Sequence, residues 1–143
     1  MVNYQDSFIY KICCKDLTIQ DIYIGSTTNF KQRKRQHKNC CTKEGNLHYN
    51  ERKYKFIRDN GGWENWDMIL IKNVSCESRL ELNRIERECY EEYKPTLNNQ
   101  VPSRSKDEYC KTEFKKNIDK SYYQKNKEKI KKRRLERYYL NKV

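Results

Sequence analysis

No stretch of this chain is apolar over anything near the roughly 20 residues that a membrane-spanning helix needs. The opening residues, Met1-Val2-Asn3-Tyr4-Gln5-Asp6, offer neither a basic region nor an apolar stretch, so no secretory signal is expected there. These absences predict a soluble, intracellular protein of the cytoplasm or nucleus, with no membrane partner. Apolar residues are also few: 35% of the 143 residues are hydrophobic and 36% are charged. A chain of that length makes one domain, and its modest core must be concentrated in part of the sequence. Acidic residues are outnumbered, leaving a net charge of +12. The excess is uneven: residues 101–143 hold 15 Lys and Arg against 6 Asp and Glu, while residues 1–100 hold 17 against 14. The division predicts a folded domain over 1–102 and a basic extension over 103–143.

That extension has no Pro or Gly after Pro102 and is rich in Lys, Glu and Arg, which predicts a long exposed helix, with partial disorder as the alternative. Its apolar residues Phe114, Ile118, Ile130 and Leu135 are too sparse for a second core. Lys131-Lys132-Arg133-Arg134 is a candidate phosphate contact or nuclear import patch. Seven cysteines are present, an odd number. Four fall as adjacent pairs, Cys13-Cys14 and Cys40-Cys41. Neighbours on a strand point to opposite faces, so such a pair cannot close on one metal as a C-x-x-C turn does. Combining Cys40 and Cys41 with His37 and His48 fits no familiar zinc spacing. Reduced thiols in a reducing compartment are the expectation.

Phe8 to Cys13 is rich in β-formers, Lys15 to Asp21 has polar turn chemistry, and Ile22-Tyr23-Ile24 resumes the β pattern. An antiparallel hairpin follows. Gly25 reads as the end of its second strand, and Thr28 or Asn29 as the cap of a helix starting near Phe30. That helix carries Lys31, Arg33, Lys34, Arg35 and Lys38 without one acidic residue; Lys31, Lys34, Arg35 and Lys38 are candidate nucleic-acid contacts. A second helix is expected from Glu51 to Asp59, stopping at Asn60-Gly61-Gly62. Trp66 to Ile71 is apolar enough for a strand in the middle of a sheet. A helix from about Ser78 to Tyr93 ends before Pro95. The order β-β-α-α-β-α predicts an α+β fold, a small three-stranded antiparallel sheet flanked by helices, followed by the basic helical tail.

The last of these helices singles out one acid. At about 100° per residue, Leu82, Ile85, Cys89 and Tyr93 share a stripe. Glu86 lies roughly 40° from Leu82 on that stripe, whereas Glu81, Glu88 and Glu92 lie roughly 80–120° from it. Glu86 is therefore expected to turn into the domain, where a charge needs a partner. An Arg and a divalent cation both qualify, the latter because carboxylate oxygen is its natural ligand.

Two tyrosines in paired strands, in Ser7-Phe8-Ile9-Tyr10-Lys11-Ile12 and in Tyr23-Ile24-Gly25, are followed by Arg33 and His37 four residues apart on one helix. This pattern resembles the GIY-YIG nuclease family. The stretch from Ile85 through Glu86 to Pro95-Thr96-Leu97-Asn98 is similar to the corresponding helix and Pro-x-x-Asn end of the nuclease subunit of bacterial excision repair. The resemblance covers about residues 7–98. It departs from the family at Phe8, where the motif has a glycine, and Glu88 is the rival alignment for the glutamate.

The resemblance implies a metal-dependent DNA endonuclease, with one Mg2+ or Mn2+ ion held by Glu86. It implies Tyr10 as the general base, its phenol lowered from a pKa near 10 by Lys11, Arg33 and the ion. Tyr23 would orient the water or share that role, Arg33 would hold the phosphoryl oxygens, and His37 would relay protons or support Arg33. Asn98 would position the Glu86 helix or a substrate oxygen. DNA is the implied partner, met as a monomer or as a dimer formed on it. A catalytically weak nucleic-acid-binding module on the same fold is the alternative, and a basic structural protein that coats nucleic acid a third.

Overall fold

The computed structural model describes residues 2–140. In chain order they form strands β1 (Ser7–Cys14) and β2 (Ile22–Thr27), helices α1 (Phe30–Thr42) and α2 (Arg52–Asp59), and a 3-10 turn (Trp63–Asn65). Strand β3 (Trp66–Val74) and helices α3 (Arg79–Tyr93), α4 (Lys106–Cys110) and α5 (Glu113–Leu140) complete the order. The strands make one antiparallel sheet in the order β2-β1-β3. The fold is α+β, a three-stranded sheet with helices.

Alternation along β1 decides what each face of the sheet packs against. Tyr10, Ile12 and Cys14 join a core with Cys41 of α1, Tyr54 and Ile57 of α2, and Trp63. Ile9, on the opposite face, joins a second core with Ile24 of β2, Cys76, and Leu82 and Cys89 of α3. The central strand is thus buried on both sides. An irregularity in the β1–β3 pairing, where Ile9 faces Lys72 but Tyr10 faces Leu70, places one extra residue on β3.

Local chemistry explains the boundaries. Asn29 caps α1, its side chain accepting from the Gln32 amide at 3.0 Å. Ser78 does the same for α3 with the Glu81 amide. That helix closes on Lys94 in the left-handed region, at φ 48°, and the following Pro95 cannot continue it.

Four expectations need correction. Apolar β3 is an edge strand, and the middle place belongs to β1; Ile69 and Leu70 stay 43% and 47% exposed as a result. Gly25 does not end β2, which continues to Thr27. Tyr93 leaves the buried stripe of α3, because the helix terminates there, and its ring lies 5.7 Å from the Lys11 ammonium. The basic extension is two helices: the Thr112 hydroxyl accepts from the Lys115 amide and so caps a new helix.

The described residues divide into two compact units between Ser103 and Arg104. The first holds the sheet and both cores. In the second, α4 opens with a capping box between Ser105 and Glu108, and neither of its helices has a buried residue.

Candidate active site

Strand register brings the two motif tyrosines together. Tyr10 sits opposite Gly25 and Ile12 opposite Tyr23, so both tyrosines point to the α1 side of the sheet, with ring centroids 6.3 Å apart. Gly25 makes that approach possible. A Cβ there would come within 2.6 Å of the Tyr10 hydroxyl and 2.9 Å of the Tyr23 ring. The residue that sequence reading took for a strand terminator is a space reserved for two rings.

Helix α1 meets this pair with side chains one turn apart. The half-buried Arg33 donates through Nε to the Tyr10 hydroxyl at 3.2 Å, and His37 Nε2 lies 2.8 Å from the same oxygen. The other imidazole nitrogen, Nδ1, lies 2.8 Å from the hydroxyl of Tyr54 on α2. His37 is 3% exposed, and burial, reinforced by the charges of Arg33 and Lys53, brings its pKa down to about 3. A neutral imidazole has one donor and one acceptor, and here a phenol satisfies each. Burial raises the Tyr10 phenol, with Arg33 opposing it, and raises the Tyr23 phenol as well. Lys11, expected to help lower Tyr10, points to the opposite face and stands over Tyr93.

Glu86 lies beyond the other side of β2. It is half-buried on α3, and the Ser26 hydroxyl donates to its Oε2. Burial raises its pKa, opposed by that hydrogen bond and by Arg33 and Arg79. Among the described residues Glu86 makes no ion pair, while the rival Glu88 is exposed. The site therefore wraps around the outer edge of β2, tyrosines on one side and carboxylate on the other. An open cleft of about 700 Å³ runs along that edge, lined among others by Tyr23, Ser26, Arg33, Glu86 and Asn98.

The edge itself is closed by the chain that follows α3. Leu97 N–H donates to the Ile22 carbonyl at 3.0 Å. The Ile24 N–H donates to Asn98 Oδ1 at 2.9 Å, and Asn98 Nδ2 donates back to the Ile24 carbonyl at 2.8 Å. Both functions of the Asn98 amide are engaged by backbone.

Residues 6–100 match the description of the GIY-YIG catalytic domain. The chain belongs to the GIY-YIG family. Members are phosphodiester-hydrolysing nucleases that act on DNA, typically with a divalent metal ion. Among curated proteins and among solved structures no significant match was found. Tyr23-Ile24-Gly25 supplies the second motif of this GIY-YIG chain, and Phe8-Ile9-Tyr10 stands where the first would be.

The structure brings Tyr10, Tyr23, Arg33, His37, Glu86 and Asn98 together around β2. It does not bring the basic candidates there. Lys31, Lys34, Arg35 and Lys38 are exposed on α1 and border a separate cleft of about 480 Å³, where Lys38 pairs with Glu64 at 2.9 Å. Lys131, Lys132, Arg133 and Arg134 are exposed on α5. His37 is held between tyrosines, His48 pairs with Glu51, and among the described residues no three His, Cys, Asp or Glu side chains are grouped to hold a metal ion. No helix among the described residues is long and apolar enough to cross a membrane. Sequence reading missed Ser26, Lys53 and Tyr54. Adjacency to Gly25 was a signal for Ser26, and spacing three residues before Ile57 on α2 was one for Tyr54.

Proposed function

We propose that this GIY-YIG chain is a metal-dependent DNA endonuclease whose reaction takes place in the cleft along β2. The observation that carries the reading is the convergence of Tyr23, Arg33 and Glu86 on that cleft. Glu86 suits a divalent cation: it is a half-buried carboxylate whose hydrogen-bond partner is a neutral hydroxyl. A single carboxylate, with water and substrate phosphate completing the shell, is a usual arrangement for Mg2+. When bound, Mg2+ or Mn2+ supplies charge neutralisation at the scissile phosphate and the departing 3′-oxygen.

The chain's own groups divide the remaining work. Arg33 takes the non-bridging oxygens through its planar fork while Nε stays on Tyr10. Tyr23 stands on the cleft wall, whereas Tyr10 is 0% exposed, so in this reading Tyr23 takes the base role, with Arg33 and a bound cation supplying the positive charge that must offset the burial raising its phenol. Tyr10 and His37 hold Arg33 and the Tyr23 ring in place and keep a continuous hydrogen-bonded line to Tyr54. Asn98 acts as a positioning residue, fixing Ile24 between Tyr23 and Gly25.

Supercoiled plasmid in Mg2+ or Mn2+, beside EDTA and Glu86→Ala, tests this. Nicking or linearisation should disappear in both controls while the variant still binds DNA. Cleavage retained by Glu86→Ala would move the metal elsewhere. Binding without cleavage under every condition would favour a recognition module on the same fold.

A further inference from the structure

Lys53 of α2 reaches the same cleft and has no part in the reading above. Its side chain is only 14% exposed, unlike the solvated lysines of α1 and α5. Nζ lies 2.6 Å from Glu51 Oε2, 5.1 Å from the centroid of the Tyr23 ring and 4.7 Å from that of Tyr54. The other oxygen of Glu51 takes His48 Nδ1. An ammonium on a four-carbon stem ordinarily loses rotamer freedom when it grips an anion. Here the stem is already held by two rings and a carboxylate. The anion now gripping it is exchangeable, because phosphate oxygens offer the same charge-assisted hydrogen bond. The cleft wall is also cationic, with Arg33 and Arg79 beside Lys53 against Glu86.

We propose that Lys53 binds substrate: its ammonium, held by Glu51 over the Tyr23 ring, transfers to a non-bridging oxygen of the DNA phosphate next to the scissile one. The inference rests on the reading that this cleft takes DNA, and adds a second phosphate contact beside Arg33. The competing explanation is packing alone, with the stem filling space between Tyr23 and Tyr54.

Three substitutions in the full chain separate the two. Lys53→Met keeps an unbranched stem against the rings and removes the charge. Lys53→Arg keeps the charge, and Glu51→Gln removes the competing anion. Each is combined with Glu86→Ala, and binding of a duplex oligonucleotide is measured in EDTA over a series of salt concentrations, with Tm recorded alongside. Lys53→Met should weaken binding about 5–10-fold and lower the slope of log K against log salt by about 0.9, the loss of one phosphate contact. Lys53→Arg should restore the slope, and Glu51→Gln should bind a few-fold more tightly. An unchanged slope in Lys53→Met, whatever its Tm, would overturn the proposal in favour of packing. So would weaker binding by Glu51→Gln. Cleavage by the chain with Glu86 intact, read in parallel, keeps the two ideas apart. Cleavage with an unchanged Lys53 slope removes Lys53 and leaves the nuclease reading. No cleavage with a lowered slope does the reverse, and failure of the parent chain to bind DNA removes both.

Discussion

The residues before and after Ser103 use charge in different ways. In the first unit three charges at the cleft have specific neighbours: Arg33 on the Tyr10 hydroxyl, Glu86 under Ser26, Lys53 against Glu51. In the second, α5 carries its cations on a helix with no buried residue, and its ion pairs are surface pairs such as Lys115 with Asp119. Surface pairs of that kind contribute little, because solvent screens them. The first unit depends on which residue stands where, the second on how many cations it carries. Substitutions should therefore have large, qualitatively different effects in one and small, similar ones in the other.

The largest effect after loss of Glu86 is expected at Arg33. Arg33→Lys retains charge but loses the planar fork and the Nε bond to Tyr10, and single-turnover cleavage should fall about 10²–10³-fold, the usual scale for removing a charge-stabilising donor. A loss under tenfold would place Arg33 with the replaceable cations and blur the contrast. Gly25→Ala comes next. The added methyl meets a ring that is fully buried and hydrogen-bonded, so it cannot swing aside. Overpacking should cost about 1–3 kcal/mol. That corresponds to a fall in Tm of about 5–20 °C for a unit of this size.

His37 sharpens the comparison through pH. Its folded pKa lies below the unfolded one, so its stabilising contribution is complete above pH 6.5 and is lost as pH falls from there toward about 3. Within that window the loss is about 1.4 kcal/mol per pH unit. Urea midpoints at pH 7, 6 and 5 should drop accordingly, and His37→Gln should remove that component of the slope. The same pH dependence in the variant would mean that the imidazole is not buried neutral. The smallest effect belongs to the second unit: Lys132→Ala should leave the unfolding free energy unchanged within about 0.5 kcal/mol. If α5 contacts DNA, it should lower the salt slope of binding by about 0.9.

How much of this was legible in the sequence depended on whether a signal was local. The hairpin, the Asn29 cap and the inward turn of Glu86 follow from alternation, capping chemistry and helical period, all confined to short stretches. The place of β3 in the sheet was not local: Trp66 to Ile71 reads as a central strand by apolarity, yet sheet order is set by which strands find partners. Gly25 was misread for a similar reason, since its constraint comes from Tyr10, fifteen positions earlier in the chain and directly across the sheet. Tyr54 packs in the core beside Ile57 on the buried side of α2. Its hydroxyl acquires a role only when α1 delivers His37. Lys53 was hidden more completely, because nothing in Glu-Arg-Lys-Tyr distinguishes a lysine locked over two rings from one in solvent.

The clasp of Asn98 on Ile24 has a consequence for the time order of the molecule. Its two hydrogen bonds join positions 74 residues apart. A chain made from its N-terminus has Tyr10, Tyr23, Arg33 and His37 long before it has Glu86, and Glu86 before Asn98. Until Asn98 is made, the outer edge of β2 is an unprotected strand, open to pairing with another chain. The residue that covers the outer edge of β2 is thus also the last of the proposed site residues to be made, so on that side of the sheet strand protection and completion of the site coincide.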